Sequence, residues 1–108
     1  MTDKPAAPRN PFTGIAPALA DYTERVLFGD VWERKALSKR DRSLITIASL
    51  ITQASTEQLR GHLWRALDNG VTREEITEVV THLAFYVGWP NAGSAALMVK
   101  QVFEERPA

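Results

Sequence analysis

Hydrophobic residues recur along this chain at three- and four-residue intervals, the spacing that gathers them on one face of an α-helix, and nowhere alternate as in a half-buried strand. The pattern predicts about five helices. The first starts near Pro17, whose fixed φ suits an opening turn, carries Leu19, Tyr22 and Val26, and stops at Gly29. Val31 and Trp32 follow as an apolar connector. Ser38 is placed to cap a second helix that has no charged residue from Ser43 to Ser55. Its apolar face is Leu44, Ile47, Ala48 and Ile51, and its opposite face holds only Thr46, Ser49 and Gln53, so it is expected to pack on both sides.

A third helix is predicted from Thr56 to Asn69, with Leu59, Leu63, Ala66 and Leu67 as its stripe and Gly70 as its stop. Thr72 and Glu75 then make a capping box, flanked by Val71 and Ile76 as a hydrophobic staple. The fourth helix points Ile76, Val79, Val80, Leu83 and Val87 inward and ends at Gly88, Trp89 and Pro90. Asn91 is placed to cap a fifth, which begins with the small residues Ala92 to Ala96 and continues with Val99, Val102 and Phe103. Small residues permit close backbone approach. The reading is an all-α fold with a central antiparallel helix hairpin, helices three and four turning about Gly70.

Four prolines fall within residues 1 to 17, which read as an extended proline-rich arm before a helical domain of residues 18 to 106. At 108 residues, 44% of them hydrophobic, a single domain with a modest core is expected, and such a core favours association between copies. Thirteen basic and thirteen acidic residues cancel, which favours neither a nucleic-acid nor a membrane partner. No apolar run suits a signal peptide or a membrane span, so a cytoplasmic protein is expected. The absence of cysteine removes thiolate nucleophiles and thiolate metal ligands.

His62 and His82 are the side chains whose ordinary pKa lies near neutrality. Reflection about Gly70 sets His82 opposite Leu59 and Tyr86 opposite Ser55, with His62 about one helical turn from His82 at ~1.5 Å per residue. On that geometry His62, His82 and Tyr86 line one pocket, with Ser55 and Gln58 in the same strip. The plainer alternative is that each histidine hydrogen-bonds a neighbouring helix. Lys39, Arg40 and Arg42 crowd the first turn of helix two, where the helix dipole prefers acids, and Arg42 is the best placed to hold an anion. A solvated cluster, or an ion pair between subunits to Glu24 or Glu33, would account for the same charges. Trp64 and Trp89 suit buried packing, the wall of an apolar pocket, or a subunit interface. Two histidines among scattered carboxylates give no metal-ligand spacing, and no metal is expected.

Phe28-Gly29-Asp30-Val31-Trp32, Arg40-Asp41-Arg42-Ser43-Leu44, the segment His62 to Val71, and Tyr86-Val87-Gly88-Trp89-Pro90 together resemble the carboxymuconolactone decarboxylase family. The resemblance implies an AhpD-like helical domain that assembles as a trimer or hexamer. One branch of the family, the AhpD-like peroxidases, carries E-x11-C-x-x-C-x3-H. Laid on His62, that motif meets Ser43, Ser55 and Gln58 where its glutamate and two cysteines belong, so thiol peroxidase chemistry has no residues to run on. The namesake branch implies a cofactor-free lyase acting on a small carboxylate or lactone, because the substrate itself takes up the electron pair. In that reading His62 or His82 donates a proton, Tyr86 stabilises an oxyanion and Arg42 clamps the acid, with Ser55, Gln58 and Trp89 lining the substrate site. The alternative is a non-catalytic oligomeric binding module on the same fold.

Overall fold

A computed structural model describes residues 10–107, and among these the secondary structure is entirely helical. Helix α1 (Pro17–Tyr22) opens with proline and runs on into a π-helical turn (Thr23–Phe28). A single 3₁₀ turn (Val31–Glu33) leads to α2 (Lys39–Thr52), α3 (Thr56–Asp68), α4 (Arg73–Val87) and α5 (Trp89–Glu105). Residues 1–9 of the proline-rich arm lie outside the described residues. What is described of it is a turn in which the Phe12 carbonyl accepts from the backbone of Ile15 and Ala16.

Local chemistry sets most of these boundaries. The Ser38 hydroxyl accepts from the Asp41 amide at 3.0 Å and so caps α2. The capping box of α4 forms in both directions, Glu75 N to Thr72 Oγ1 at 3.1 Å and Thr72 N to Glu75 Oε1 at 2.9 Å. Both staple residues, Val71 and Ile76, are buried in the core. Gly88 sits at φ +94° and ψ 155°, a conformation essentially reserved for glycine, and this lets α4 end and α5 begin with no intervening loop. Consequently α5 starts at Trp89 rather than after Asn91, whose side chain donates instead to the Thr52 carbonyl at 3.2 Å.

Helices α2 to α5 occupy the corners of a four-helix arrangement. Helix α2 packs on α3 and α4, and α5 packs on the same two from the other side. End-to-end contacts give the directions. Asn69 Nδ2, just beyond α3, reaches Ser43 Oγ near the start of α2 at 3.0 Å, so these helices are antiparallel. Arg73 at the start of α4 lies 4.4 Å over the ring of Phe103 near the end of α5, making a second antiparallel pair. The tightly packed hairpins are thus α2/α3 and α4/α5, whereas α3 and α4 stand at opposite corners. This corrects the expected packing of helices three and four about Gly70. Their inward stripes, Leu59, Leu63 and Ala66 on one and Ile76, Val80 and Ala84 on the other, face α2 and α5 instead of each other.

Ile47, Ile51, Leu59, Leu63, Ile76 and Val102 are fully buried at the centre, each gaining about 1.5–3 kcal/mol from leaving water. The expected two-sided packing of α2 is not met within one chain. Its outer face, Ile45, Ser49 and Gln53, is exposed, with Ile45 54% accessible. The N-terminal segment is held loosely by comparison: α1 and the π turn pack along their own segment, and the 3₁₀ turn rests on α2.

Candidate functional site

Residues at intervals of four and three place Gln58, His62 and Arg65 on a single stripe of α3, with Ser55 one further turn back at the helix start. Phe28 from the π turn and Trp32 from the 3₁₀ turn close over the His62 end of this stripe. The Trp32 and His62 rings stack at 6.1 Å with planes 25° apart, and Phe28 lies 6.2 Å from the imidazole. The Arg65 guanidinium sits 3.8 Å above the Phe28 ring and 5.6 Å from that of Trp32.

His62 is half-buried, and its Nδ1 is shielded from solvent with no hydrogen-bond partner. Burial pushes its pKa below the ordinary imidazole value, and the neighbouring Arg65 charge pushes the same way. The imidazole is therefore held neutral at pH 7 beside a cation, with one polar atom unused in an apolar surround. The alternative that His62 simply bonds a neighbouring helix is not met at Nδ1.

His82 and Tyr86 lie elsewhere. Their rings pair with each other at 4.9 Å on the solvent face of α4, and Tyr86 is 75% accessible. Because α3 and α4 stand at opposite corners, the chain does not bring these two residues to His62, and the expected single pocket is not formed within it. Trp89 is likewise not buried: it is 64% accessible and meets Phe85 edge-on at 5.2 Å. Together with Val80, Ala84, Ala92 and Ala96 these two aromatics line an apolar groove of about 220 Å³ between α4 and α5. Trp64 does pack inside, its indole donating to Glu105 at 3.1 Å.

The basic opening of α2 is largely paired within the chain. Lys39 bridges Glu33 at 2.8 Å, and Arg40 bridges Glu75. Arg42 donates through Nη2 to the Arg34 carbonyl at 3.2 Å, which ties down the loop before α2, while its Nε is buried without a partner. Ser43, standing where the redox motif has glutamate, is fully buried and satisfied: its hydroxyl donates to the Lys39 carbonyl at 2.9 Å and accepts from Asn69. Ser55 and Gln58 make no side-chain hydrogen bond among the described residues.

Sequence reasoning passed over Phe28, Trp32 and Arg65 as site residues. Phe28 and Trp32 stand some thirty positions from His62, and only the tertiary fold joins them. Their one signal was that the stretch Phe28 to Trp32 carries part of the family resemblance.

The model of the carboxymuconolactone decarboxylase family matches residues 17–101. A 4-carboxymuconolactone decarboxylase of Acinetobacter baylyi is 36% identical over 85 residues, covering 79% of this chain and 63% of that protein. A nitrosuccinic acid decarboxylase of Metarhizium robertsii is 36% identical over 78 residues, 72% of this chain and 54% of that one. An uncharacterized 15.0 kDa protein of Paracoccus denitrificans is 31% identical over 88 residues, 80% of this chain and 65% of its own. The chain thus spans somewhat over half the length of these relatives. With a match that runs from the first helix into the last, over the stretch that builds the His62 stripe and its aromatic cover, the chain belongs to the carboxymuconolactone decarboxylase family.

Proposed function

We propose that this protein is a decarboxylase of small carboxylated, lactone-like substrates, with His62 as the group that returns a proton to carbon. The observation that carries the reading is a half-buried imidazole whose Nδ1 has no partner, set under Phe28 and Trp32. Both named relatives are decarboxylases of small acids. In such a reaction the bond from the substrate carbon to its carboxylate breaks and carbon dioxide leaves. The electron pair moves into the substrate's own conjugated or nitro acceptor, and one proton is then delivered to carbon. The protein's tasks are to orient the acid, exclude water and supply that proton. Phe28 and Trp32 provide the dry wall, and Ser55 and Gln58 extend the same stripe with uncommitted polar groups. A bound anion offsets the Arg65 charge and so favours the imidazolium, the form that gives up the proton.

The test is direct. Purified protein is assayed for carbon dioxide release from 4-carboxymuconolactone and from nitrosuccinate, alongside His62→Gln and His82→Ala. His62→Gln is expected to lower kcat by about 10² or more, the scale for removing a general acid, with the helical circular dichroism retained. His82→Ala is expected to cost far less. Undiminished turnover in His62→Gln would sink the assignment.

A further inference from the structure

Six arginines in the described residues are half-buried: Arg40, Arg42, Arg60, Arg65, Arg73 and Arg106. Five have an oxygen partner. Arg40 bridges Glu75, Arg42 reaches the Arg34 carbonyl, Arg60 bridges Glu105, Arg73 reaches the Arg106 carbonyl, and Arg106 bridges Asp68. Arg65 alone has neither an ion pair nor a hydrogen bond among these residues. Asp68, one turn along α3, acts on Arg65 through its charge but not by contact, because its carboxylate is paired with Arg106 at 2.6 Å.

What Arg65 does contact is flat and apolar. Its guanidinium lies on the face of Phe28 and near that of Trp32. Phe28 and Trp32, whose ring centroids are 5.7 Å apart, lie to one side of the guanidinium, and a cation held on ring faces in this way keeps its N–H donors free of the rings for another acceptor. Five donors in a fixed fork match a planar acceptor with two oxygens. Next to that fork is His62, whose Nδ1 is also without a partner. A guanidinium without a protein oxygen and a shielded imidazole nitrogen without a partner, three positions apart on α3 and against the same two rings, mark one candidate site.

We infer that Arg65, held on Phe28 and Trp32 beside His62, is the seat of a substrate carboxylate, taken edge-on by the guanidinium. The assignment rests on the decarboxylase reading for the identity of the acid, but not for the binding itself. It moves the anion clamp from Arg42, whose guanidinium is tied to the Arg34 carbonyl, to the stripe that already holds the proton donor. Burial is the main influence against protonation of His62 and the Arg65 charge the second, and a carboxylate seated there offsets the second.

Binding can be read without turnover. The protein is titrated with succinate at pH 7 and followed by NMR at the Arg65 Nε–H and the Trp32 indole, with the uncharged diamide of succinate as control. Succinate is expected to shift both signals and the diamide neither. Arg65→Gln should weaken succinate at least tenfold. Arg65→Lys keeps the charge and its place on the rings but not the fork, so it should fall between. Equal succinate affinity in wild type, Arg65→Gln and Arg65→Lys would overturn the assignment, as would absence of any shift at Arg65 in the wild type. Succinate bound at Arg65 by a protein that decarboxylates nothing would refute the proposed activity and leave the carboxylate seat standing. Decarboxylation with an unchanged KM in Arg65→Gln would do the opposite.

Discussion

His62 gives up water when Phe28 and Trp32 close over it, and the consequence reaches beyond the site. In the unfolded chain the imidazole titrates near its ordinary value of about 6.5. In the folded chain burial and Arg65 lower that value. As pH falls the unfolded state therefore takes up the proton first. The stability contributed by the neutral imidazole is fully present above about pH 6.5 and is lost as pH drops through the lower, folded value. Thermal unfolding of the wild type should weaken between pH 7.5 and pH 5.5 more than that of His62→Gln, which has no proton to gain there. Parallel pH slopes in the two proteins would show that the folded environment does not disfavour the charged ring. The sequence disclosed His62 as a candidate because only two histidines exist, but not its environment. Which rings cover it depends on where the connector at Val31 and Trp32 comes to rest, and that is a tertiary outcome.

At the level of elements, what the sequence disclosed divides along a physical line. Signals that act within a few residues were legible: the Ser38 cap, the Thr72 and Glu75 box, the Val71 and Ile76 staple, and the stop at Gly70, whose φ is +95°. They are satisfied within five positions or, at Gly70, by the residue's own backbone, so the fold cannot easily override them. Partner choice between helices was not legible. Sequential helices usually neighbour one another, yet α3 and α4 face across a diagonal because each spends its apolar stripe on α2 and α5. That one difference separates His62 from His82 and Tyr86. The position of Asn91 shows the same limit on a smaller scale. Asparagine before small residues reads as a helix cap, but Pro90 already lies within the first turn and the freed amide reaches α2 instead.

Twelve large hydrophobic side chains are exposed among the described residues of the whole molecule. Phe85, Tyr86, Trp89 and Leu97 gather on the outer side of α4 and α5, with Phe85 75% and Leu97 70% accessible. Ile45 stands out from the uncharged face of α2, and Leu19, Tyr22 and Val26 from the N-terminal segment. Surfaces of this kind mark association, and we propose a homo-oligomer, a trimer or two stacked trimers, that buries them. Sedimentation equilibrium at micromolar concentration should find no folded monomer of the wild type, and Leu97→Glu or Phe85→Glu should shift the mass downward. A wild type that sediments as a stable monomer would refute the proposal.

The N-terminal segment, finally, is fastened to the bundle by few points: Phe28 and Trp32 on His62 and Arg65, Lys39 to Glu33, and Arg42 to the Arg34 carbonyl. A unit so attached can separate from the helices without melting them, in a partial opening that costs less free energy than global unfolding. Its backbone amides from Tyr22 to Phe28 should exchange with deuterium well before those of Leu59 to Ala66, and equal protection in the two stretches would show a single cooperative unit. The rings that cover the imidazole are then among the contacts that this opening breaks. A ligand that binds between Arg65 and His62 only while Phe28 and Trp32 are closed over them must slow exchange back along the segment to Tyr22, and whatever stabilises the closed segment must in turn strengthen that binding.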